Sequence, residues 1–115
     1  MTENYPVYMK WRRVVGYLLE LCGTFPKSVR FNLCDRITNI ALDVMERIVE
    51  AIYSKERRVH LQSANLSLEK LRVLLQISLD NRYMSISQYE YTNREIHEVG
   101  QMIGGWLKQC AVSAN

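Results

Sequence analysis

The stretch Leu33-Cys34-Asp35-Arg36-Ile37-Thr38-Asn39-Ile40-Ala41-Leu42-Asp43-Val44-Met45-Glu46-Arg47-Ile48-Val49-Glu50-Ala51-Ile52 decides the fold. Its apolar residues Leu33, Ile37, Ile40, Ala41, Val44, Ile48, Ala51 and Ile52 recur at steps of three and four, which places them on one stripe of a long amphipathic helix. The same spacing appears upstream in Val7, Trp11, Val14, Val15, Leu18 and Cys22, and Gly23-Thr24-Phe25-Pro26 ends that helix. Pro26 fits the first turn of the helix that follows. Downstream, Leu61, Ala64, Leu68, Leu71, Leu75, Ser78 and Leu79 form a third stripe, with Leu66 and Leu74 widening it toward two neighbours. Ile96, Val99, Ile103, Trp106 and Cys110 form a fourth, fraying over residues 111–115. No segment alternates with period two between turn residues, and there is no repeat, linker or low-complexity tract. The expectation is an all-α protein, a single antiparallel four-helix-bundle domain over residues 1–115 with three short connections.

Local signals refine the boundaries. Ser54-Lys55-Glu56-Arg57-Arg58 lacks apolar residues and is expected to cap or extend the end of the second helix, where cations suit the dipole, with a bend near Val59 or His60. Ser87-Gln88-Tyr89-Glu90 matches a capping box, and Ile86 and Tyr91 stand at staple positions, so Ser87 is expected to be the N-cap of the fourth helix.

Composition narrows the function classes. In 115 residues, 48% are hydrophobic and 23% charged, a balance suited to one compact domain with a core of its own. Little chain remains to build a deep cleft, which favours a binding or assembly role. Ten Arg and five Lys against nine Glu and three Asp give a net charge of +3, compatible with a polyanion partner. Cys22, Cys34 and Cys110 are odd in number and have no CxxC spacing, which points to free thiols in a reducing cytoplasm. Lys10-Trp11-Arg12-Arg13 precedes an apolar run of only six residues, Val14 to Leu19, which reads as amphipathic helix and not as a secretion signal. No uncharged apolar run approaches the ~18 residues of a membrane span, so a soluble protein without membrane contact is expected.

The usual catalytic constellations are missing: there are two histidines, His60 and His97, and no HExxH, P-loop or GxSxG. Glu46 with Glu50, and Glu95 and Glu98 beside His97, lack the Glu-x-x-His pairing of a carboxylate-bridged metal site and read as solvated helix faces. No catalytic residue, metal or cofactor is expected. Gly100, Gly104 and Gly105 lie within a periodic helix, where each costs about 1 kcal/mol relative to Ala. Either close packing inside the bundle or a subunit interface, anchored by Trp106, would compensate. Among the basic residues, Lys10 and Arg13 share a helix face, Lys55, Arg57 and Arg58 cluster, and Arg72 and Arg82 project from the third helix. Residues 25 to 58 carry +2 (seven basic, five acidic) and residues 85 to 115 carry −1 (two basic, three acidic). Repeated around a ring of subunits, such patches would add into a polyanion-binding surface.

Several segments, in order, resemble one family: Phe25-Pro26-Lys27-Ser28-Val29-Arg30-Phe31-Asn32-Leu33, Asp35-Arg36-Ile37, Leu71-Arg72-Val73-Leu74-Leu75, Glu98-Val99-Gly100 and Met102-Ile103-Gly104-Gly105-Trp106-Leu107-Lys108. They resemble the accessory variability determinant (Avd) proteins of diversity-generating retroelements. The resemblance implies a four-helix bundle assembled as a pentameric barrel, non-catalytic, binding the retroelement reverse transcriptase and template RNA or DNA. Its role would be to support mutagenic cDNA synthesis, in which adenine-mutagenised copies replace a variable region of a target gene. On this reading Lys10, Arg13, Arg57, Arg58, Arg72 and Arg82 form the nucleic-acid or polymerase surface, and Gly100, Gly104, Gly105 and Trp106 the oligomer interface. Gln76 and Gln101 stand where the family tends to carry arginines, and each lost phosphate contact lowers the salt dependence of binding by about one unit. The alternative is the related four-helix proteins encoded in intervening sequences of ribosomal RNA genes, whose role is not established.

Overall fold

The computed structural model describes residues 2–113. Four helices follow a short 3-10 turn at Thr2–Asn4: α1 (Pro6–Cys22), α2 (Leu33–Tyr53), α3 (Arg57–Asp80) and α4 (Ile86–Ser113). They form an antiparallel bundle 49 Å long and 21 Å across. Helix α1 packs on α2 and α4, and α3 packs on the same two from the opposite corner. The last two residues of the stretch expected to fray, Ala114 and Asn115, lie outside the described residues, and α4 remains helical through Ser113.

Each stripe read from the periodicity supplies core. Trp11, Leu18, Ile37, Ile48, Leu61, Leu68, Leu71, Leu75, Ile96 and Ile103 are all fully buried. At roughly 1.5–3 kcal/mol for each large apolar side chain taken out of water, this shared core is the main term holding four amphipathic helices together. The buried hydroxyls are satisfied locally: Ser78 Oγ donates to the Leu74 carbonyl at 2.8 Å and Thr92 Oγ1 to the Gln88 carbonyl at 2.7 Å.

Four local expectations are corrected. Pro26 does not begin α2; it is extended (ψ 147°) and heads a 3-10 turn at Lys27–Val29. Helix α2 starts after Asn32, whose Oδ1 accepts from the Leu33 N–H at 2.6 Å. Secondly, Leu66 is 59% exposed and not part of the core. At about 100° of rotation per residue it lies roughly 140° round the helix from Leu61, beyond the reach of either neighbour.

Residues 54–58, thirdly, do not extend α2. Ser54 is extended, and its Oγ accepts from the Glu56 N–H at 2.9 Å, a local bond that competes with the helical ladder. The bend falls at 54–56 rather than at Val59 or His60, and α3 begins at Arg57. Finally, the capping box of α4 sits two residues earlier than expected. The Gln88 N–H donates to Ser85 Oγ at 3.1 Å while Gln88 Oε1 accepts from the Ser85 N–H at 2.9 Å. Gln serves at N3 as Glu does, and Met84 before the cap is 5% exposed while Ile86 is 66% exposed. Burial selects the frame that puts Met84 inside.

Candidate nucleic-acid interface

The start of α3 gathers three cations around a single carboxylate, Glu56. Lys55, Arg57 and Arg58 fall at its N-terminus, where the partial charge of the helix is positive, no acidic residue occupies the first turn, and Glu56 provides no side-chain cap. Sequence reasoning assigned these cations to the negative end of α2, where they would be favourable; the structure puts them where they repel. Arg57 Nη2 donates to the Ile52 carbonyl at 3.3 Å, and its guanidinium carbon lies 5.8 Å from the centre of the Trp106 ring. Trp106 is half-buried and stacks on Tyr5, with centroids 5.3 Å apart and planes 28° apart. Lys55, Glu56, Arg57, Arg58, Trp106 and Gln109 line an open cleft of about 630 Å³. Three cations beside uncapped N–H groups, one of them held against an aromatic ring, are chemically suited to an anion such as a phosphate.

The other expected cations do not converge on this cleft. Lys10 is drawn toward α4, its Nζ 2.8 Å from Glu95 Oε2 and also paired with Glu98, so it sits among two carboxylates and offers no free charge to a polyanion. The two hydrogen bonds hold the Lys10 ammonium above its ordinary range, Glu95 contributing most, and the same contact holds the Glu98 carboxyl below its ordinary range. Arg13 is exposed. Arg72 is partly buried, pairs with Glu69 at 3.1 Å, and leaves its Nε buried without a partner. It lines a shallow groove between α3 and α4 with Leu68, His97, Gly100 and Gln101. Gln76 donates to Asp80 at 2.9 Å and accepts from Tyr89 at 2.8 Å, tying α3 to the start of α4. Arg82 is exposed at the far end of the bundle, in the α3–α4 turn.

The glycines of α4 are not explained by packing inside the bundle. A Cβ added at Gly104 or Gly105 would meet no atom within 4 Å, and at Gly100 it would make an ordinary contact, 3.8 Å, with Leu68 Cδ1. Of the two compensations open to the sequence, close packing within the subunit is therefore excluded for Gly104 and Gly105. Trp106 is engaged with Tyr5 and Arg57 rather than standing free as an anchor. An apolar surface that sequence reasoning missed lies instead on the outer face of α3, where Val59, Leu66, Val73 and Ile77 are 56%, 59%, 60% and 42% exposed. Their spacing of seven, seven and four was the available signal, obscured because Leu66 was assigned to the core.

Among the described residues no group of three or more His, Cys, Asp or Glu is placed to hold a metal ion. Glu50 pairs with His60 Nδ1 at 3.0 Å across the α2–α3 seam, where Arg47 also approaches the imidazole at 3.0 Å. All three cysteines are free thiols; burial, reinforced by Cys34 beside it, pushes the Cys22 thiol up to about 12. No helix among the described residues is long and apolar enough to cross a membrane.

Comparison with known proteins agrees with this architecture. The crystal structure of a protein of unknown function from the S23 ribosomal protein family of Bacteroides thetaiotaomicron superposes with a TM-score of 0.84 at 18% identity, covering 94% of this chain and 99% of the other. At that identity the likeness concerns the fold. No curated protein matches in sequence. The family described as bAvd-like matches residues 7–110, from the first buried residue of α1 to the last turns of α4. The match takes in the whole packed bundle, its connections and the basic start of α3, and the chain belongs to the bAvd-like family.

Proposed function

We propose that this chain is the accessory protein of a diversity-generating retroelement: a non-catalytic four-helix bundle that forms a homo-oligomeric ring, a pentamer by analogy with its family. In the reducing cytoplasm it engages the retroelement reverse transcriptase and the template RNA, and so supports mutagenic cDNA synthesis. The observation that carries this reading is family membership across residues 7–110, joined to the cationic cleft at Lys55, Arg57 and Arg58. Ring assembly is supported by the open space at Gly104 and Gly105 and by the exposed stripe Val59, Leu66, Val73 and Ile77, which a neighbouring subunit could cover. With Lys10 neutralised and Gln76 and Gln101 uncharged, each subunit offers few phosphate contacts. Summation round a ring is then what gives useful affinity, and that affinity falls steeply with salt.

Light scattering at low and high salt, with and without a short RNA, tests this directly. A mass near five subunits that rises with RNA at low salt, together with co-purification with the reverse transcriptase, is the expected result. A monomer indifferent to RNA and to the polymerase overturns it. A second reading, a four-helix protein of the ribosomal RNA intervening-sequence type, draws on the likeness to the S23-family structure. Genomic setting separates the two: a neighbouring reverse-transcriptase gene with paired near-repeats differing at adenines favours the first, and a location inside a ribosomal RNA gene the second.

A further inference from the structure

The end of the bundle opposite the Lys55–Arg58 cleft carries two features that the fold itself does not require. Phe31 is 86% exposed, more than any other large hydrophobic side chain among the described residues. It does not hang from a loose loop. Phe25, 3% exposed, anchors the α1–α2 connection with its ring 5.8 Å from that of Tyr83, and Val29 packs against the core. The 3-10 turn is closed by Val29 N–H to the Pro26 carbonyl at 3.1 Å and Arg30 N–H to the Lys27 carbonyl at 3.2 Å, and Asn32 caps α2 immediately after. Phe31 is thus presented to solvent between two fixed points.

The second feature is Arg82, whose φ of 61° is left-handed. It occupies the position after the α3 C-cap, in a Schellman motif where Arg82 N–H bonds the Leu79 carbonyl at 2.9 Å and Tyr83 N–H bonds the Ser78 carbonyl at 2.9 Å. Glycine takes that conformation without steric cost, so an arginine there is strained, and such strain is concentrated at functional positions. The Phe25–Tyr83 contact brings the two connections together at one end. Among the described residues Lys27, Arg30, Arg36 and Arg82 make no ion pair. The carboxylates toward this end are Glu20 in the last turn of α1, Asp35 in the first turn of α2 where the helix dipole favours it, Asp80, which accepts from Gln76, and Glu90 near the start of α4.

We propose that this end binds single-stranded nucleic acid, with Phe31 stacking on an unpaired base and Lys27, Arg30 and Arg82 holding the flanking phosphates. Lys27 and Arg30 stand within four residues of the ring in the chain, and an exposed aromatic side chain flanked by cations is the pairing that grips single strands. A duplex keeps its bases stacked on one another and gives the ring nothing to cover. The proposal rests on the reading in which this protein handles template RNA, and adds a contact distinct from the cleft at Arg57 and Arg58.

Fluorescence anisotropy at low salt with a short labelled RNA, single-stranded and as its duplex, tests it on the full chain. Phe31→Ala is expected to weaken single-strand binding about tenfold, the scale of one lost base stack, with duplex binding unchanged and Phe31→Trp close to wild type. Because the ring is exposed, thermal unfolding of Phe31→Ala should match wild type, which separates lost contact from lost fold. Wild-type binding with unchanged affinity in Phe31→Ala, or an equal loss on single strand and duplex, overturns this inference and leaves the proposed function standing. A wild-type protein that binds neither RNA overturns both.

Discussion

The indole N–H of Trp11 donates to the carbonyl oxygen of Ala41 at 2.8 Å, inside a core where Trp11 is 0% and Ala41 1% exposed. This one bond joins the first turns of α1 to the middle of α2 and fixes how far one helix is slid along the other. It also gives the largest buried side chain a partner for its only polar atom. Trp11→Phe should destabilise the protein by about 2 kcal/mol, combining the lost bond and the void left by the smaller ring, and lower the melting temperature by roughly 10 °C. Thermal unfolding followed by circular dichroism checks this; an unchanged melting temperature would show that the bond contributes nothing net.

The cap of α4 gives a paired prediction. Ser85→Ala removes the hydroxyl that accepts from the Gln88 N–H and should cost about 1 kcal/mol. Ser87→Ala, at the position the sequence favoured for the cap, should change stability by less than about 0.5 kcal/mol. Urea denaturation of both variants distinguishes the two frames, and the reverse order would refute the frame seen here.

Gly104→Ala and Gly105→Ala place a methyl group into open space within the subunit. Each should stabilise the isolated subunit by about 1 kcal/mol through helix propensity alone. If these glycines face a neighbouring subunit in the ring, the same variants weaken association. Denaturation at low protein concentration read beside light scattering at high concentration reports both effects.

The Lys10 cluster sets a pH dependence. Contact with Lys10 holds the Glu98 carboxyl below its ordinary value of 4.5, so its stabilising contribution is complete above that value and is lost as pH falls through the lowered one. Bonding to Glu95 and Glu98 holds Lys10 above 10.5, so its contribution is complete below that value and lost as pH rises through the raised one. Lys10→Met should flatten the decline of stability on acidification below about pH 4.5 and make the protein less stable at neutral pH; parallel acid titrations of variant and wild type would contradict this.

Relief of strain at Arg82 should be visible in stability. Arg82→Gly is expected to stabilise the fold by about 1 kcal/mol, because glycine adopts the left-handed conformation freely. The same change removes a cation from the end of the bundle that carries Phe31. A rise in melting temperature with weaker single-strand RNA binding is the expected combination.

What the sequence determined by itself is what local periodicity can carry: four stripes at helical spacing, their order, and chain breaks near Gly23 and Arg82. Tertiary structure decided the choices among near-equivalent local options. Two serines could cap α4, and the burial of Met84 chose Ser85. Leu61 and Leu66 are alike as residues, yet neighbours exist for only one of their faces. Lys10 and Arg13 share a polar surface in sequence, but two glutamates from α4, more than eighty residues away in the chain, neutralise the first and leave the second exposed. Arg57 and Arg58 could close one helix or open the next, and Ser54 settled it by bonding back to the Glu56 N–H. Helical spacing is a property of the residues along one segment, whereas burial, ion pairing and the choice of cap depend on which other segment stands opposite, and that is fixed only when the four helices meet.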